Sequence, residues 1–262
     1  MQKFQKFHLI LILLGSLVLL FIIAPLLGLF LNTSSAEIFE TVKEKEVRDS
    51  IWLTIWTSML ATVGFAIIGI PLAYFLAKRK FLFRRLILGI IDIPVVIPHS
   101  AAGIAILGFI SRDSALGQMA ESVGINLVGH PIAISLAMAF VSVPFLINAA
   151  IDGFSSVPDR LEKVAMSLGA SSAKVFFTIS LPLAWRNIVS GLIMMFARGM
   201  SEFGAVVIVA YHPMITPVMI FERFGAYGLS YARPVAAIFV FICLLIFIGL
   251  RMLTKEKNVS RN

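Results

Sequence analysis

Two groups of polar residues sit where apolar sequence leaves little water to hold them. Arg198 and Glu202 are four apart inside the apolar run 186–210, a spacing that puts both on one face of a helix. Counted from Trp185 at about 1.5 Å per residue, Arg198 lies roughly 20 Å into that run. A lone charge at such depth in lipid costs about 2.5–3.5 kcal/mol, and an opposite charge within reach offsets much of it. The pair has two readings. It is a buried ion pair that stabilises a bundle, or it lines a route or gate through which an anion passes. Arg198 favours an anion, whereas Glu202 largely cancels its field, so no tight anion site is expected there. The second group is Asp92, Pro94, Pro98, His99 and Ser100. Each proline removes a backbone donor and kinks a helix, and the freed carbonyls need partners, which His99 or Ser100 could supply. The alternative is again a lining role. Pro98, His99, Ser100, Arg198, Ser201, Glu202, Phe203 and Gly204 are therefore the candidates for a path or gate.

Catalysis has no comparable foothold. The chain holds no G-x-x-x-x-G-K-[ST] loop, no H-E-x-x-H pair and no histidine–cysteine cluster spaced for a metal. Asp92 and Glu202, the carboxylates within apolar runs, belong to no recognisable catalytic motif. No catalytic, cofactor-binding or metal-binding residue is expected. Cys243, the single cysteine, lies in an apolar run and is read as a packing residue.

The elements that must carry these groups are transmembrane helices. Of 262 residues, 59% are hydrophobic, and the mean hydropathy is +0.97. Soluble domains have a lower apolar fraction. Runs of 20 or more apolar residues cross a bilayer of roughly 30 Å as helices, and segments of that length exclude a β-barrel. Six spans are expected, at 9–31, 50–77, 86–110, 131–151, 186–210 and 234–251. The first is too long for the apolar core of a signal peptide and is read as an uncleaved helix. The fold expected is an all-α polytopic membrane protein, a single transmembrane domain over 1–262. With the N-terminus in the cytoplasm, the segments on that side hold 15 of the 22 Lys and Arg residues, among them Lys3, Lys6, Lys78, Arg84, Arg160, Lys255, Lys257 and Arg261. That asymmetry places both termini in the cytoplasm and assigns the net charge of +8 to orientation rather than to nucleic acid. Segment 32–49 reads as a solvated outer loop, 111–130 as an outer loop with a short helix, and 211–233 as a partly re-entrant or interfacial outer segment.

The cytoplasmic stretch 152–185 is a polar interruption between two spans. Ser155 and Ser156 are candidate caps, Pro158 suits a first turn, and Leu161, Val164, Ala165 and Leu168 form one apolar face. That face packs on the spans or offers a surface to a partner. Gly169 suits a left-handed C-terminal turn. Ser171 or Ser172 caps a second helix with Val175, Phe176 and Ile179, and Pro182 disfavours helix at Leu181 and sets a corner before the fifth span.

The order Glu162, Ala165, Gly169, Ala170, Phe176, Ile179, Leu181, Pro182 resembles the "EAA loop" of permease subunits of bacterial and archaeal ATP-binding-cassette importers. The common form places Glu six residues before the Gly. Here Glu162 lies one residue earlier, with Lys163 and Val164 following. Asp92–Gly103 and Ala197–Ala205 resemble permeases for tetrahedral oxyanions. Val209–Pro217 and Phe221–Phe224 are similar to the molybdate/tungstate branch, and the likeness runs from about residue 50 to the C-terminus. The resemblance implies a type I importer fold with six spans and a coupling loop. It implies a partner ATPase subunit that itself binds ATP and Mg, an extracytoplasmic oxyanion-binding protein and a second copy of this chain. ATPase coupling would fall to Glu162, Ala165, Gly169, Ala170, Phe176, Leu181 and Pro182. Sulfate is the alternative cargo, and a polytopic membrane enzyme or a secondary transporter the remote alternatives.

Overall fold

The computed structural model describes residues 2–253, and side chains over 7–252. Lys255, Lys257 and Arg261, counted above in the C-terminal tail, lie outside the described residues, as do the side chains of Lys3 and Lys6. The described residues form helices and connections without strands. In chain order these are α1 (Gln2–Leu31), α2 (Ser35–Lys43), α3 (Lys45–Lys78), α4 (Arg84–Val96), α5 (His99–Ile110), α6 (Ala115–Ser122) and α7 (Pro131–Ser156). They continue with α8 (Asp159–Ser167), α9 (Ser172–Val175), a π turn (Phe176–Ser180), α10 (Leu181–Met200), α11 (Val206–Val209), α12 (Thr216–Tyr227) and α13 (Leu229–Leu253).

Five helical stretches are long and apolar enough to cross a bilayer: 7–31, 45–78, 131–156, 172–200 and 229–252. The pair α4 and α5 makes a sixth candidate, broken at Ile97–Pro98 and bent by 111°. The expected kink in 86–110 is thus a sharp corner. Ile97 and Pro98 leave helical geometry, since a proline at 98 cannot donate to the carbonyl of Pro94 and crowds it.

The bundle closes around α7, which packs on α3 and α10. Burying apolar surface gives no net gain between helices already in lipid, so close approach and dispersion hold them together. Gly191 is one such approach: a Cβ there would come within 2.8 Å of Ala149 Cβ. One core cluster centres on Ile134, Met138, Leu146, Met195 and Val206, and a second on Leu76, Phe154 and Ile188. α1 meets α13 and leaves its apolar side chains exposed all round.

Several expectations are corrected. Segment 32–49 is not a loop. Ser34 and Glu37 form a reciprocal capping box that starts the exposed helix α2, and α3 begins at Lys45. α7 runs through Ser155 and Ser156, which therefore belong to a span end and cap nothing in α8. The helix also continues through Pro182. The π turn before it widens the backbone, with Leu181 N–H donating to the carbonyl of Phe176 five residues back. That extra room lies where a proline ring would strike the carbonyl of Thr178. The connection outside the bundle therefore shrinks from 152–185 to 157–171. The 211–233 segment holds α12, which packs on α13 and α3. Its first amide, Thr216 N–H, donates to Thr54 Oγ1 of α3 at 2.9 Å.

Candidate functional site

The projecting helix α8 is built from local rules. Its C-terminus is a Schellman turn: Gly169 N–H donates to Met166 O and Ala170 N–H to Ala165 O, both at 3.0 Å. Gly169 takes φ +87°, which a side chain at that position would strain although open space surrounds it. Ser171 then caps α9, accepting from Lys174 N–H at 3.3 Å. Pro158 occupies the position before the helix rather than its first turn.

α8 faces two ways. Leu161, Val164 and Leu168 are exposed, Leu168 by 83%. With Ala165, Thr178, Ile179, Pro182 and Leu183 they edge a mainly apolar groove of about 550 Å³. Glu162 points the other way and is only 7% exposed. Its Oε1 accepts from Ser180 Oγ at 2.7 Å and lies 3.2 Å from Lys78 Nζ. Lys78, the last residue of α3, also donates to Val157 O at 2.8 Å and Asp159 Oδ1 at 2.9 Å. Lys78 beside Asp159 holds that carboxyl below its usual range. Phe176 is turned inward too, packing its ring against Tyr74 and Phe154 at centroid separations of 4.9 and 6.0 Å. Leu181 packs in the same cluster. Sequence reasoning therefore gathered two kinds of residue into one set. Ala165 and Pro182 line the open groove, Gly169 and Ala170 form the turn at the end of α8, and Glu162, Phe176 and Leu181 face inward. It missed Lys78 and Ser180, which no local spacing links to Glu162.

The second cluster joins α5 to the end of α10. α10 stops at Met200, so Arg198 and Glu202 do not share a helix as expected. Glu202 sits in the following turn. There its Oε1 accepts from Ala205 N–H at 2.8 Å, which satisfies an amide that would otherwise be orphaned at the break. Arg198 Nη2 lies 2.9 Å from Glu202 Oε2, without the alignment of a hydrogen bond, and His99 Nδ1 lies 3.1 Å away. Arg198 Nη2 is also within 3.0 and 2.9 Å of the two His99 ring nitrogens, and Nη1 is 3.4 Å from Ser201 Oγ. His99 thus partners the charges across the break and not a carbonyl freed by Pro98. Gly204 makes this possible: a Cβ there would fall 2.8 Å from His99 Cβ. Glu202 is fully buried, while Arg198, His99 and Ser201 keep one side open. Pro98 and Ser100 are exposed beside them, and Phe203 turns away to pack on Phe221 at 4.8 Å between centroids. Asp92 joins none of this. Its Oδ1 accepts from Asn148 Nδ2 of α7 at 2.8 Å.

Long apolar helices around α7, a broken span carrying a charged cluster and a capped helix projecting between α7 and α10 define a multi-pass membrane permease subunit. The chain belongs to the binding-protein-dependent transport system inner membrane component family, which matches residues 69–256. It is 37% identical over 254 residues to a molybdate/tungstate transport system permease protein of Methanocaldococcus jannaschii, covering 97% of this chain and 99% of that one. A molybdate/tungstate permease protein of Pyrococcus furiosus is 40% identical over 242 residues, covering 92% of each. Among solved structures, a bacterial ABC transporter involved in importing the acidic polysaccharide alginate superposes with a TM-score of 0.74 at 17% identity, covering 98% of this chain and 97% of that one. The fold is therefore that of a type I importer permease.

Proposed function

We propose that this chain is the membrane subunit of an ATP-driven importer that passes a tetrahedral oxyanion, molybdate or tungstate, from an extracytoplasmic binding protein to the cytoplasm. The observation that carries the mechanism is α8: a helix closed by a Schellman turn, held from behind by Lys78 and Ser180, with Leu161, Val164 and Leu168 exposed in front. An apolar helical face offered to water fits a groove on a soluble partner. That partner is an ATP-binding-cassette ATPase subunit, which binds ATP and Mg and hydrolyses the nucleotide. This chain contributes no catalytic residue. The basic residues at the span ends on the α8 side favour the orientation with α8 and both termini in the cytoplasm. A second copy, related by a two-fold axis, completes the path. The cargo is read from the names of the relatives and from the cluster at the break, where Arg198, His99 and Ser201 face open space above Glu202.

A balanced cluster of this kind suits transit rather than retention, because Glu202 offsets the Arg198 field. Selection then rests with the binding protein. Co-expression with the ATPase subunit tests the coupling. Wild-type permease should retain the ATPase on affinity purification, and Leu168→Asp should lose it, since burying an unpaired carboxylate in an apolar groove costs several kcal/mol. Retention of the ATPase by that variant would overturn the docking assignment.

A further inference from the structure

We propose that Lys78 is a positioning residue for energy coupling, the centre of a latch that makes α8 one rigid body with the ends of α3 and α10. The proposal rests on the importer reading above and deepens it. Three elements far apart in sequence meet at one node. Lys78 ends α3, Glu162 lies one turn into α8, and Ser180 closes the π turn at the base of α10. Glu162 Oε1 is shared by Ser180 Oγ at 2.7 Å and Lys78 Nζ at 3.2 Å. Lys78 Nζ reaches on to Val157 O and Asp159 Oδ1, so it grips the loop at its first residue, at the helix start and one turn further on. The node is dry. Glu162 is 7% exposed, Ser180 fully buried, and the Lys78 side chain 11% exposed.

The geometry assigns Glu162 a job different from a contact with the ATPase. It lies behind α8, opposite the exposed Leu161 and Leu168, so the carboxylate cannot reach a partner seated on that face without leaving the latch. A force on the apolar face would therefore pass through Glu162 and Lys78 into α3 and through Glu162 and Ser180 into α10. α10 ends at the Arg198–Glu202–His99 cluster. One rigid path thus joins the projecting helix to the charged break. With the latch opened, α8 could still dock but would tilt on its connections, and closure of the ATPase dimer would be lost as loop motion.

The test uses the whole complex of permease, ATPase subunit and molybdate-loaded binding protein in proteoliposomes, reading ATP hydrolysed and molybdate taken up together. Lys78→Met should assemble and hydrolyse ATP, while uptake per ATP falls by at least about tenfold, since two charge-assisted hydrogen bonds and the ion pair to Glu162 are lost together. Lys78→Arg should restore most of that ratio. A structural defect alone would lower uptake and hydrolysis in the same proportion, and that result, or a wild-type ratio in Lys78→Met, would overturn the proposal. Should Lys78→Met fail to assemble, Ser180→Val decides. It leaves the ion pair and cuts only the tie to α10. A reduced ratio in that variant supports the latch, and an unchanged ratio refutes it. Wild-type complex that hydrolyses ATP without importing molybdate would instead count against the importer reading itself.

Discussion

Arg198→Met would remove the guanidinium from a carboxylate shielded from solvent. Glu202 is 0% exposed, so after the substitution Oε1 keeps the Ala205 amide and Oε2 keeps only His99 Nδ1 at 3.1 Å. Breaking a buried pair from this side costs about 3–5 kcal/mol. Glu202→Gln is milder. The amide oxygen can still accept from Ala205, and Arg198, with a side chain 22% exposed, retains water and Ser201. Its cost should be about 1.5–3 kcal/mol, the range for a lost hydrogen bond to a charged group. The double variant Arg198→Met/Glu202→Gln leaves no charge stranded. It should be more stable than the sum of the single losses by about 1–3 kcal/mol, the coupling expected of groups in contact. Denaturant unfolding of the four proteins in one mild detergent measures all three quantities. The reasoning requires the order wild type, Glu202→Gln, Arg198→Met from most to least stable, with the double variant losing less than the sum of the two single losses. Additive losses, or Glu202→Gln as the worst variant, would refute the buried-pair account. Loss of uptake in Arg198→Met at unchanged stability would favour a direct contact with the passing anion.

Gly169→Val forces a β-branched residue to φ +87° at a cost of about 1–2 kcal/mol or more. It should uncouple ATP hydrolysis from uptake, and wild-type coupling in that variant would contradict the Schellman-turn account. Thr54→Val strands the buried amide of Thr216 and should cost about 1–3 kcal/mol, read as faster hydrogen exchange across α12. Because Lys78 depresses the Asp159 carboxyl, the Asp159 contribution is complete above the ordinary carboxylate pKa and is lost as pH falls through the depressed value. Protease protection of 157–171 should therefore weaken on acidification in the wild type and show less of that dependence in Asp159→Asn.

Hydropathy and charge made most of the spans legible. The bulk of the five long stretches was marked by runs of Leu, Ile, Val and Phe that need only length to cross lipid. What failed were rules of local proline and spacing. Pro182 reads as a corner because its neighbour should avoid helix, yet a π turn that no residue pattern announces makes room for it. Arg198 and Glu202 read as i, i+4 neighbours on one helix, but Ala205, three residues after Glu202, draws its carboxylate into a cap where the helix has ended. The 32–49 segment was misread although its cue was present, a Ser34–Glu37 capping box. Glu162 was singled out in the sequence, but the direction its side chain takes was not legible there. Its partner Lys78 lies at the end of another span, and only the packing of α3 beside α8 brings the two within 3.2 Å. The exposed face of α8 was visible as an i, i+3, i+4, i+7 pattern, but whether that face met the spans or water depended on the same latch.

The account's central claim is ATP-driven passage of an oxyanion through this chain, worked by a partner at α8. Uptake of radiolabelled molybdate into proteoliposomes, with permease, ATPase subunit and binding protein each omitted in turn, tests it most directly. The account predicts uptake that needs all three and ATP, and that disappears when Leu168→Asp permease replaces the wild type. Uptake that proceeds without ATP or without the ATPase subunit, or that survives Leu168→Asp unchanged, would contradict it.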